Sequence, residues 1–86
     1  MFTILYKDFA GRKGNRYFRK WDKAKAEMDK DVKDCCDHLG GHVIETIDRM
    51  NVAKGWYEYE TKAKFPNGEV CTWALIDGYF EDEPND

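Results

Sequence analysis

The chain has 86 residues, 42% of them hydrophobic and 15% aromatic, and a net charge of −3 at neutral pH. That allows one domain with one modest core, residues 1–86, and the composition excludes a wholly disordered chain. The charge is split: residues 1–40 carry +3 and residues 41–86 carry −6, so no attraction of the whole molecule to nucleic acid or anionic lipid is expected.

Phe2–Phe9 (FTILYKDF) is rich in aromatic and β-branched residues and reads as a strand. Its charge at the seventh residue predicts neither a signal peptide nor a membrane span. AGRKGN follows as a loop, and Arg16–Trp21 (RYFRKW) as a second strand closing a hairpin. Asp22 is the expected N-cap of a helix over Lys23–Leu39, which Gly40 and Gly41 end. At the helical repeat, Trp21, Ala24, Met28, Val32, Cys35 and Leu39 fall in a sector of about 80°, while the opposite side is almost wholly Lys, Asp and Glu. The helix therefore lies on something apolar.

His42–Ile47 reads as a third strand, and DRMNVAKG as a connection of no assigned structure. Trp56–Phe65 (WYEYETKAKF) is the clearest strand: Tyr57, Tyr59, Thr61, Ala63 and Phe65 face one way, Trp56, Glu58, Glu60, Lys62 and Lys64 the other. PNG turns the chain, and EVCTWALIDGYF returns as a fifth strand. With Phe65 opposite Glu69, Ala63 meets Cys71, Thr61 meets Trp73 and Tyr59 meets Leu75, an apolar face that a one-residue slip would destroy. The predicted fold is α+β and two-layered: one antiparallel sheet of about five strands with one amphipathic helix on one face, order ββαβββ. Residues 81–86 form an acidic tail expected to be disordered and solubilising.

The stretch DCCDHLGGH, residues 34–42, is the strongest lead for chemistry. Adjacent Cys35 and Cys36 point about 100° apart on a helix, which strains any disulfide between them. Cys36 and His38 point to opposite flanks, against shared metal ligation, and the spacing matches no zinc signature. Three cysteines make a poor disulfide framework, and reduced thiols in the cytoplasm are the simplest reading. No catalytic residue, metal ligand or cofactor is therefore assigned, and the chain is expected not to be an enzyme.

The leading expectation is a small non-enzymatic module that binds another protein. Trp56, Glu58 and Glu60 on the outer sheet face, with Arg12, Lys13 and Arg16 near the first hairpin, are the candidate partner-binding residues. Its concrete form is a phage or mobile-element accessory protein inhibiting a host nucleic-acid enzyme, of the anti-CRISPR kind. The second choice is a nucleic-acid-binding protein using Arg12, Lys13, Arg16, Arg19 and Lys20. The third is a metal- or thiol-dependent protein centred on Cys35–His42. No membrane contact is expected, and five strands leave two edges open to a homodimer.

Overall fold

The computed structural model describes residues 2–78. The acidic tail at 81–86, and Tyr79 and Phe80 of the expected fifth strand, lie outside the described residues. Five strands and one helix follow in the order ββαβββ: β1 (Phe2–Phe9), β2 (Arg12–Phe18), α1 (Trp21–Leu39), β3 (His42–Asn51), β4 (Trp56–Lys64) and β5 (Val70–Gly78). All strands join one antiparallel sheet in the spatial order β2-β1-β5-β4-β3. The fold is therefore α+β with a single sheet and one covering helix, as the residue pattern predicts.

The β4–β5 hairpin has the register derived from its apolar alternation: Ala63 opposes Cys71, Thr61 opposes Trp73, and Tyr59 opposes Leu75. The Phe65 amide donates to the Glu69 carbonyl at 2.9 Å, closing the turn on the expected pair. Odd-numbered residues of β1, β4 and β5 face the helix and meet Ala24 and Met28. Leu5, Phe18, Tyr59, Ala63, Phe65, Cys71, Trp73 and Leu75 complete the core, with Trp73 and Leu5 among the largest fully buried side chains.

Four boundaries differ from the sequence expectation: the start of β2, its end at Phe18 and not Trp21, the start of the helix and the end of β3. The first hairpin turns on Ala10 and Gly11 alone, and Arg12–Asn15, expected as loop, are strand paired to Tyr6–Phe9. Both turn residues have positive φ, 52° and 80°, the two-residue geometry whose twist matches that of paired strands. Backbone pairing here outweighs the weak strand preference of RKGN. Ala10 pays a left-handed penalty, so Ala10→Gly is expected to stabilise the domain by about 0.5–1 kcal/mol, read as a higher denaturation midpoint.

The helix begins at Trp21 with Lys20 as N-cap, and Asp22 is not the cap. Asp22 sits in the first turn, where its charge still meets the positive end of the helix dipole. At the other end Gly40 adopts φ 71°, and the Gly41 amide donates to the Cys36 carbonyl at 3.0 Å in a Schellman-type stop. A Cβ on Gly41 would lie 2.4 Å from the Phe65 ring, so the chain can leave the helix along this path only without a side chain. Leu39, expected in the contact stripe, is 52% exposed because the last turn runs past the core.

Strand β3 continues to Asn51, through half of the segment left without structure, because β4 pairs with it up to Asn51–Trp56. The remaining turn is held by the Gly55 amide on the Asn51 carbonyl at 2.8 Å and the Lys54 amide on Asn51 Oδ1 at 3.0 Å. The helix packs on β1, β5, β2 and β4, and β3 lies largely beyond its cover. Every residue of β3 except Ile47 and Asn51 is exposed.

Candidate functional site: the uncovered sheet face

Among the described residues no element covers the sheet face opposite the helix. Strand alternation sends Trp56, Glu58 and Glu60 of β4 to that face, with Ala74 and Ile76 of β5 and Ile47 and Arg49 of β3 beside them. Together they line an open trough of about 410 Å³. Its apolar part is built by Ile47, Ala74, Ile76 and the Trp56 ring, and Trp56 and Ile76 are 51% and 48% exposed.

The charges around the trough are ordered. Glu58 accepts from Asn51 Nδ2 at 2.9 Å and from Arg49 Nε at 3.2 Å, and Lys54 Nζ lies 3.6 Å away. The Asn51 hydrogen bond, opposed by burial and aided by Arg49 and Lys54, holds the Glu58 carboxyl below its ordinary range. Lys62 bridges Glu45 at 3.8 Å and Glu60 at 3.7 Å. Lys54 Nζ also stands 5.7 Å from the Trp56 ring centroid, fixing one side of the indole by cation–π attraction. The trough is thus apolar with an internally compensated rim, a surface suited to non-covalent docking.

Arg12, Lys13 and Arg16 do not join it. They lie on β2, the opposite edge of the sheet. Arg16 reaches across to the helix, 3.3 Å from Glu27 and 3.7 Å from Asp31, so its charge is largely spent within the fold. Arg12 and Lys13 border a separate small cleft with Phe9, Cys35 and Leu39. The residues proposed for partner binding therefore form two surfaces at opposite edges.

The DCCDHLGGH segment acts as a helix terminus. Cys35 and Cys36 are half-buried against the core, and His38 Nδ1 lies 2.9 Å from the Asp34 carbonyl on the solvent side. Among the described residues no three His, Cys, Asp or Glu side chains converge as metal ligands. Burial raises the pKa of Cys35 and Cys36 and pushes Cys71 up to about 12, so all three thiols stay protonated at neutral pH. A disulfide reagent at pH 8 is expected to label them at least ~10-fold slower in the folded protein than in denaturant, Cys71 slowest.

Ile47, Arg49 and Ile76 escaped sequence reasoning as site residues. The alternation of β5 around Trp73 and Leu75 already puts Ile76 beside Trp56. Ile47 and Arg49 required knowing that β3 extends to Asn51. Among the described residues no helix is long and apolar enough to cross a membrane. Comparison with protein-family models, with curated proteins and with solved structures finds no match to this chain.

Proposed function

We propose that the protein is a non-enzymatic binding module whose uncovered sheet face docks on another protein. The observation that carries this reading is the apolar trough of Ile47, Ala74, Ile76 and half-exposed Trp56, set among charges already paired with one another. A surface Trp flanked by aliphatic side chains is the kind of anchor that dominates protein–protein contacts. Paired rim charges cost less to desolvate than free ones. The basic hairpin supports nucleic-acid binding less well, since Arg16 is neutralised by Glu27 and Asp31.

The narrower form, an anti-CRISPR-like inhibitor of a host nucleic-acid enzyme carried by a phage or mobile element, draws support only from small size, acidity and the lack of a catalytic motif. Inhibition of target cleavage by a purified CRISPR nuclease tests it directly. For the broader reading, the immobilised chain is compared with Trp56→Ala, Ile76→Asp and the Arg12→Glu/Lys13→Glu double variant by quantitative proteomics. A partner retained by the hairpin variant and lost at least ~10-fold by the two trough variants is expected. Identical recovery by all variants would overturn the reading, as would nucleic-acid retardation that depends on Arg12 and Lys13.

A further inference from the structure

The two edges of the sheet are unlike. Edge strand β2 carries Arg12, Lys13, Gly14 and Arg16, and a second copy brought alongside it would meet like charge. Edge strand β3 is ten residues long and has no Lys and no Pro. Val43, Ile44 and Met50 on it are 49%, 50% and 57% exposed. Its one irregularity falls between Val43 and Glu45, leaving Glu45–Asn51 regular. Among the described residues nothing pairs with the outer side of this strand, and its regular run from Glu45 to Asn51 presents a row of amides and carbonyls to any strand whose charges complement Glu45, Asp48 and Arg49.

We propose that this strand is the seam of a homodimer, two copies of β3 pairing antiparallel about a two-fold axis through Ile47. A two-fold axis perpendicular to a sheet keeps each side chain on its own face. Opposed residues must then share parity, and the axis must pass through a single residue. The possible centres can be tested against the sequence of β3. An axis at Glu45, Asp48 or Arg49 opposes a charge to its own copy. An axis at Thr46 sets Glu45 against Ile47 and leaves every charge without an opposite partner.

The axis at Ile47 sets Ile47 against Ile47, Glu45 against Arg49 twice, and Thr46 against Asp48 twice, with Ile44 and Met50 at the ends. Within one chain Glu45 already opposes Lys62 and Arg49 already opposes Glu58. The dimer would continue these rows as Lys62, Glu45, then Arg49 and Glu58 of the second copy, four charges of alternating sign across four strands, repeated by symmetry. The single centre that avoids like charges and pairs the unlike ones also puts the apolar Ile47 on the axis. The product is one ten-stranded sheet with both helices on the same side. Ile47 and Arg49 line the outer trough, so the two troughs would meet at the seam. The proposal goes beyond the docking of a foreign protein and does not depend on it.

Sedimentation velocity of the full chain from about 1 μM to 1 mM tests it, with an expected rise in mass from 10.1 kDa to twice that value. Glu45→Arg and Arg49→Glu each turn two attractive pairs repulsive and are expected to weaken the dimer by about 100-fold. Ile47→Lys places like charges on the axis and should do the same. The double swap Glu45→Arg/Arg49→Glu restores complementarity across the seam, although it sets like charges against Lys62 and Glu58 within each chain, and should associate more tightly than either single variant, which only this register demands. Circular dichroism confirms that the variants, all at exposed or half-exposed positions, remain folded. A chain monomeric at 1 mM would overturn the proposal. So would a dimer indifferent to Glu45→Arg and Ile47→Lys, or one no tighter in the double swap than in the single variants.

Discussion

Trp73→Ala is expected to remove about half of the protein's folding stability. Trp73 is fully buried in β5, the central strand of the sheet, between β1 and β4 and beneath the helix. Removing a buried indole costs about 3–5 kcal/mol through lost transfer energy and the cavity left behind. An 86-residue domain holds only about 5–10 kcal/mol of stability in all. The indole also donates from Nε1 to Asp31 Oδ2 at 2.9 Å, a bond that ties the middle of the sheet to the middle of the helix. Trp73→Phe separates the two contributions: it keeps most of the apolar volume, removes the donor, and should cost about 1–3 kcal/mol. Urea denaturation followed by far-UV circular dichroism measures both, and an alanine variant within about 1 kcal/mol of wild type would contradict this account of the core.

The second large effect is expected at Asp31, on the helix. Its carboxylate takes the Trp73 hydrogen bond, lies 3.0 Å from Lys7 Nζ, and is 3.7 Å from an Arg16 nitrogen. Burial pushes its pKa up, but the hydrogen bonds from Trp73 and Lys7 and the charges of Lys7 and Arg16 together outweigh it. The net pKa falls below the ordinary 3.8. A group whose pKa is depressed by folding stabilises the protein above its unfolded pKa, and that stability disappears as pH falls through the folded value. Wild type should therefore lose stability as pH drops below about 4. Asp31→Asn should be less stable at pH 7 and show a flatter acid profile. Asp31→Ala, which leaves the buried indole N–H without its acceptor, should cost about 2–3 kcal/mol at pH 7. Parallel acid profiles for wild type and Asp31→Asn would show that the carboxylate is not the linked group.

Asp29 and Asp31 show why part of this architecture was hidden in the sequence. By helical periodicity Asp31 lies about 60° and Asp29 about 100° from the centre of the apolar stripe, on its two flanks, where the pattern names no partner for either. In the fold the Tyr59 hydroxyl donates to Asp29 and the Trp73 indole to Asp31, so the polar flanks of the helix grip the polar ends of aromatic side chains rising from the sheet. Lys25 stands 4.9 Å from the Tyr59 ring centroid and completes that grip. Periodicity reports which face a side chain takes. It is silent about whether the opposing layer carries a donor that reaches the flank.

The site shows the same division. Alternation in β4 was enough to put Trp56, Glu58 and Glu60 on one outer face. Whether that face is open depends on what the remaining elements cover. Trp56 proved half-exposed, held on one side by Lys54. Arg16 belonged on sequence grounds to the same partner-binding set as Trp56. Strand order places it on the far edge and turns it toward Glu27.

The local signals in this chain determined one amphipathic helix ending at Gly40, five strands in the order ββαβββ, and the Phe65–Glu69 register of the last hairpin. Those features follow from interactions within about 20 residues: apolar repeat, turn chemistry and cross-strand matching. Only the tertiary structure decided that β5 runs between β1 and β4, that β3 reaches Asn51, and that Leu39 overshoots the core. It also decided that the basic hairpin is partly neutralised by the helix. Pairing of β1 with β5 joins residues as far apart as Phe2 and Gly78. Backbone hydrogen bonds of that kind carry no side-chain signature of which strand will be the neighbour, so the order of the sheet is chosen by how β1, β2, β4, β5 and the helix bury one core together.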